Sequence, residues 1–353
     1  MKFTTVVTCF IVTTNTVLGI GFPFRRRTGG IALIGDELNQ TPFPEWLTAF
    51  TGMTQWPGLD PPYIPLDFID MSKIPPYKPY QQGECMVNPR EACSFDCDQC
   101  VAHDDVHTCP KLSQTFDDGP SPATLRLLDY LHHKATFFTL GINSVNFPDV
   151  YHKIQEAGHL IGSHTWSHAY LPSLSNEGII AQIQWSVWAM NATGHHIPKW
   201  FRPPYGGIDN RVRAITRQFG LQAVVWDHDT FDWSLVTNNP LKTEQEIYND
   251  VAVWKLTDNR GIILEHDASR KTVDIAINVL DMIGSDQLAV SGCVNGRDYI
   301  RVFNWSLVRI IWANIWSCIL PIIKIYQNWL LCFSSPYSLF YITYRGYIYA
   351  CII

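Results

Sequence analysis

What restricts the fold most is a rhythm between Pro110 and Ile283, where short apolar runs ending in polar residues alternate with longer amphipathic segments. Runs of the first kind read as buried strands and segments of the second as helices. The pattern predicts strands at Leu112–Phe116, Ala135–Leu140, His159–Ser163, Trp200–Arg202, Gln222–Trp226 and Ile262–Glu265. Helices are predicted at Pro122–His133, Pro148–Ala157, Asn176–Met190, Asp209–Phe219, Thr243–Leu256 and Thr272–Ile283. Such alternation implies parallel strands joined by helical crossovers. The expected class is α/β, a distorted (β/α) barrel of about seven parallel strands whose site lies at the C-terminal strand ends.

The flanks differ in texture. Met1–Lys2 followed by an uncharged, apolar and threonine-rich run predicts a signal peptide over 1–19. Residues 20–107 form a Pro- and Cys-rich leader: eleven of the 22 prolines fall between Gly21 and Arg90 with no regular period, so an extended, wrapping conformation is expected. The domain carrying the rhythm is assigned to 108–302. Residues 303–353 contain no Asp or Glu and read as an apolar tail. Three readings stand there: a membrane-inserted segment, an added apolar subdomain, or sequence foreign to the functional gene, the last being favoured.

Charge narrows the partners. Lys and Arg number 26 against 32 Asp and Glu, leaving no basic excess to neutralise phosphates, so nucleic acid is excluded. A neutral, hydroxyl-rich substrate fits better, and the 13 tryptophans supply either faces for sugar rings or core packing. The sequons at Asn39, Asn191 and Asn304 agree with secretion, to the extracellular space or cell wall. So do Cys85, Cys93, Cys97, Cys100, Cys109 and Cys293, an even set read as three disulfides of undetermined pairing. A zinc knot involving His103 and His107 is the alternative. A monomer is expected.

Polar residues gather where the strands should end. Thr115-Phe116-Asp117-Asp118-Gly119-Pro120 places two carboxylates side by side, which is unfavourable unless one meets a cation or serves acid–base chemistry; a simple turn is the bland alternative. Ser163-His164-Thr165-Trp166-Ser167-His168 sets two imidazoles four apart, so that one helical turn would point both to one side. With one of the carboxylates they would make a metal-binding face with open positions. Arg202-Pro203-Pro204-Tyr205-Gly206, Asp229-Thr230-Phe231-Asp232-Trp233 and Leu264-Glu265-His266-Asp267 end three further strands.

These five segments, in this order, resemble the motifs of the polysaccharide deacetylases, carbohydrate esterase family 4 with its NodB-type domain. The segment Cys93 to Pro120, with its Cys-x3-Cys-x2-Cys run, further resembles the fungal chitin deacetylases. The resemblance covers about Cys85 to Arg301 and implies a hydrolase of linear amides that removes N-acetyl groups from chitin or chitooligosaccharides. It implies that Asp118, His164 and His168 hold a divalent metal, Zn2+ in most of the family and Co2+ in some members. It further implies Asp117 as general base, His266 as general acid, and Arg202 and Asp232 as their respective partners. The Tyr205 backbone N–H would face the oxyanion, and Trp226, Trp233 and Leu264 would line the pocket. Rival readings are deacetylation of peptidoglycan or acetyl xylan, and a catalytically silent wall-binding protein.

Overall fold

The computed structural model describes residues 40–303 except Asn88, together with the backbone of 340–344 and 347–351. The predicted signal peptide, the sequons at Asn39 and Asn304, and most of the tail lie outside the described residues. In chain order the helices are α1 (Glu45–Thr51), α2 (Phe95–Asp98), α3 (Thr124–Leu128), α4 (Gly141–Asn146), α5 (Pro148–Glu156), α6 (Asn176–Gly194), α7 (Asn210–Gln218), α8 (Glu244–Thr257), α9 (Arg270–Ile283) and α10 (Val290–Cys293). The strands are β1 (Leu112–Asp117), β2 (Thr136–Thr139), β3 (Leu160–Ser163), β4 (His196–Pro198), β5 (Trp200–Phe201), β6 (Gln222–Ala223), β7 (His228–Asp229), β8 (Gly261–His266), β9 (Tyr299–Val302), β10 (Phe340–Tyr344) and β11 (Tyr347–Cys351).

Seven strands form one all-parallel sheet in the order β6-β5-β3-β2-β1-β8-β7, matching the expected barrel-like α/β class. Its two edge strands, β6 and β7, are neighbours in sequence. Five residue steps from Ala223 to His228 reach at most about 18 Å. A flat sheet of seven strands would be about 29 Å wide, so the sheet must curl until its edges approach. The predicted strand Gln222–Trp226 is therefore corrected. Only its first two residues pair with β5; Val106 of the leader then bridges Val224, its N–H donating to the Ala223 carbonyl and its carbonyl accepting from the Val225 N–H, and the chain crosses to pair with β8 as β7.

Alternation along β1 sorts the side chains. Phe116 faces outward into a cluster with Phe137, Ile161, Val273, Ala276 and Leu280, which joins the sheet to α9 and its neighbours. Thr115 and Asp117 face inward, where Arg202 meets both. The inner floor is apolar: Phe138, Leu160, Trp200, Val224 and Ile262 pack with Ala289 and Val290. Caps set helix starts where the sequence supplies them, as in the Thr243–Glu246 capping box of α8 and the Ser175 and Asp209 caps of α6 and α7.

The leader packs more tightly than an extended wrapper. It contains α1 and α2, and its Trp56 stacks on Trp166 with ring centroids 6.0 Å apart. Trp166, Trp185 and Trp200 are fully enclosed, so these three belong to the core rather than to a sugar-stacking face. The six cysteines form Cys85–Cys97, Cys93–Cys100 and Cys109–Cys293, which excludes the zinc knot. The predicted helix Pro122–His133 is regular only over α3. In the tail, β10 and β11 pair antiparallel, and among the described residues no helix is long and apolar enough to cross a membrane.

Candidate active site

Asp117 is the last residue of β1, in register with His266 at the end of β8. Immediately beyond it Asp118 takes a left-handed conformation with φ of 75°, turning the second carboxylate along a different direction from the first. Gly119 follows because no side chain fits: a Cβ there would fall 2.3 Å from the Asp267 carboxyl. His164 follows β3 directly. The predicted helical turn between His164 and His168 is corrected, since Thr165 and His168 have φ of 70° and 64° and the intervening residues form a non-helical turn. The two imidazoles nevertheless converge, with ring centroids 5.0 Å apart.

Candidate ligand atoms of Asp118, His164 and His168 all lie within 4.8 Å of one another. His164 Nδ1 sits 2.8 Å from the Arg202 carbonyl, which can only accept, so the proton is on Nδ1 and the Nε2 lone pair is bare. That lone pair lies 3.4 Å from Asp118 Oδ1, and His168 Nε2 lies 3.2 Å from the same oxygen. Asp118 Oδ1 is buried and accepts no hydrogen bond. Acceptors that converge on one point without donors fit a divalent cation. Protonation agrees: burial, and then the repulsion that any charge on His164 would add, lower His168 to about 4 against the pull of Asp118 and Asp117, so its ring is neutral at pH 7. For Asp118 burial opposes ionisation, but the adjacent imidazoles, His164 and the charged His266 foremost, hold it well below the usual carboxylate range.

Two oppositely composed pairs flank this trio. Arg202 Nη1 donates to Asp117 Oδ1 at 2.9 Å and to Thr115 Oγ1 at 2.7 Å, with its guanidinium 4.2 Å from the Phe138 ring. Asp117 Oδ2 is 3.7 Å from His164 Nε2. Across the strand end, His266 Nδ1 donates to Asp232 Oδ1 at 2.7 Å while the His266 backbone N–H donates to Asp232 Oδ2 at 2.9 Å. Burial disfavours the His266 charge, yet Asp232, Asp118 and Asp117 outweigh it and raise the imidazole to about 10. Its Nε2 remains the nitrogen available to a substrate.

Tyr205, with φ of 60°, sets its ring 4.4 Å from that of His168, and its backbone N–H lies at the start of a single 3-10 turn, where such groups lack a partner within the turn. Leu264 is buried on β8 and Trp226 is half-buried beneath Arg202, whereas Trp233 is 39% exposed at the rim. Sequence reasoning assigned no role to three further groups. Asn143 Nδ2 donates to the Asp118 carbonyl at 2.8 Å. Asp267, raised to about 7 by burial, bonds Thr124, and its N–H donates to the Asp117 carbonyl. Thr115 shares the Arg202 guanidinium. The last two stand inside the quoted motifs; Asn143 carried no signal.

Residues 104–224 match a family model described as polysaccharide deacetylase. Chitin deacetylase 2 of Saccharomyces cerevisiae is 67% identical over 264 residues, 75% of this chain and 84% of that protein. Chitin deacetylase 1 of the same yeast is 60% identical over 276 residues, 78% of this chain and 91% of that one. Chitin deacetylase 1 of Cryptococcus neoformans var. grubii is 35% identical over 237 residues, 60% of this chain and 50% of that protein. With the trio of ligand atoms and both flanking pairs at one rim of the curled sheet, and with relatives this similar over most of their length, the chain belongs to the polysaccharide deacetylase family.

Proposed function

We propose that this protein is a chitin deacetylase, hydrolysing the acetamide of N-acetylglucosamine units to a free amine and acetate. The observation that carries the chemistry is the pairing of a carboxylate with a guanidinium and of an imidazole with a carboxylate on either side of the Asp118, His164, His168 trio. The substrate rests on the identity to the two yeast chitin deacetylases. Asp118, His164 and His168 would hold a divalent cation, zinc or cobalt. When bound, it supplies Lewis acidity and lowers the pKa of water.

Asp117, kept in place by Arg202, accepts the proton of the water that attacks the acetyl carbon. The Tyr205 backbone N–H donates to the oxygen on which charge develops. His266, charged through Asp232, gives its proton to the nitrogen as the C–N bond breaks, releasing a neutral amine. Leu264, Trp226 and Trp233 offer apolar surface to the acetyl methyl and the sugar ring. The predicted signal peptide, the sequons and the disulfides support secretion to the wall or medium.

Acetate release from chitin oligomers, peptidoglycan and acetyl xylan, each with and without a chelator that is then back-titrated with zinc or cobalt, tests this reading. Chelator-sensitive release from chitin oligomers above the other two polymers is expected. Preference for another polymer would overturn the substrate, and chelator-insensitive turnover would overturn the metal.

A further inference from the structure

Beside the reacting centre runs a second concavity of about 510 Å³, a size in the range that holds small organic ligands. One wall comes from the leader: Gln82, Phe95, Asp96 and Gln99. The other is the strand-end rim, with Tyr205, Trp226, Asp229 and Phe231. Tyr205 belongs to both sites, since its ring also touches that of His168. The groove is therefore continuous with the place where the acetamide would sit.

The leader wall is built to hold its shape. Cys85–Cys97 and Cys93–Cys100 cross-link it. Buried Arg213 ties it to the barrel, pairing with Asp105 at 2.7 Å and donating to the carbonyls of Cys93 and Cys100. Tyr170 donates to Asp96 Oδ2 at 2.6 Å, and the Phe95 ring meets Trp226 edge-on at 5.2 Å. Gly206 permits this approach, for a Cβ there would stand 3.1 Å from Phe95 and 3.3 Å from Trp226. Exposed Gln82 and Gln99 cap the wall with amide groups able to donate to and accept from hydroxyls, and Trp226, Tyr205 and Phe231 supply flat apolar faces. Aromatic faces edged by amides and carboxylates are the chemistry that recognises a pyranose ring.

We infer that the disulfide-closed leader segment from Gln82 to Gln99 forms one wall of a second sugar subsite, which takes the residue of the same chain adjoining the one being deacetylated. Resting on the deacetylase reading, this makes the leader a determinant of substrate length. It lies mainly outside the region that matches the family model.

The test compares kcat/KM on a series from the N-acetylglucosamine monomer to the chitin hexamer for the native protein and for a Gln82→Ala/Gln99→Ala double variant. Both side chains are exposed, and equal melting temperatures establish equal folding. Loss of one or two ligand hydrogen bonds is worth roughly 3- to 30-fold. The ratio of pentamer to monomer activity is expected to fall by about that factor, because the monomer alone has no adjoining sugar to place in the subsite. An unchanged ratio, whether through no loss or through an equal loss at every length, would overturn the subsite. A native protein inactive on every oligomer would instead overturn the deacetylase reading itself.

Discussion

At the scale of single residues, Asp117 and His266 sit in register on neighbouring strands yet have partners of opposite charge, Arg202 for the carboxylate and Asp232 for the imidazole. On the proposed mechanism that asymmetry would make Asp117 the base and His266 the acid, and it separates their variants. Asp117→Asn keeps the shape but cannot take a proton, and should lose about 10²–10⁴ in rate while still binding metal. His266→Ala should harm an amide far more than an activated aryl acetate, whose leaving group departs without protonation. An equal factor on both substrates would remove His266 as the leaving-group acid. Next to it, Glu265 points the other way along β8 and is fully buried, accepting from Gln114 at 2.7 Å. Burial, then the Asp232 charge, raises it from 4.5 to about 8. The folded state thus holds a proton that the unfolded chain releases near pH 4.5, so this contribution is complete below that pH and is lost as pH rises toward 8. Glu265→Gln, which cannot titrate, should gain stability relative to the native protein across that window, on the order of 3 kcal/mol by pH 8. Denaturant melts at pH 5 and pH 8 that show the same difference would contradict it.

At the scale of elements, the turn carrying His164 and His168 is short and strained at two positions, so something behind it must hold it. The irregular leader between Trp56 and Pro62 does so: the Gly58 carbonyl accepts from Trp166 Nε1 at 2.7 Å, the Leu59 carbonyl accepts from Ser167 Oγ at 2.6 Å, and Trp56 covers the Trp166 ring. Groups that orient ligands typically alter metal affinity by about 10- to 100-fold. Trp56→Ala should weaken zinc binding by about tenfold in a competitive chelator titration, with Trp56→Phe recovering most of it. Unchanged affinity alongside a lowered melting temperature would reduce Trp56 to packing alone. This bracing was not legible in the sequence, because contacts between an aperiodic segment and a turn about 110 residues away leave no local pattern. The strand-end motifs were legible for the opposite reason: Asp117, His266 and Arg202 are ionisable groups at the ends of apolar runs, where burial demands a partner. Four-residue spacing located both histidines yet misread the turn, since spacing alone does not reveal left-handed backbone at Thr165 and His168.

At the scale of the whole molecule, the curled sheet is closed by chain segments rather than by a continuous ladder. The stretch from Gln222 to Asp229 serves both edges, Val106 fills the gap beside Val224, and Cys109–Cys293 then fastens the entry of β1 to α10. This last bond spans 184 residues, whereas Cys85–Cys97 and Cys93–Cys100 span 12 and 7. If cross-links act by restricting the unfolded chain, their contributions grow with the logarithm of the loop, to about 5 kcal/mol for the long one against about 2–3 kcal/mol for each short one. The short pair instead shapes the leader wall of the groove. Removing bonds one at a time as paired Cys→Ala variants should therefore split two properties. Loss of Cys109–Cys293 should lower unfolding free energy the most while leaving the pentamer-to-monomer activity ratio near the native value. Loss of Cys85–Cys97 should cost less stability but depress that ratio, since Cys85 and Phe95 line the groove directly. Denaturant unfolding without reductant and the oligomer series, measured on the same two variants, decide it. A long-range variant that loses no more stability than the short-range one, or a short-range variant with an unaltered length preference, would break the division between the clasp that closes the barrel and the wall that reads the substrate.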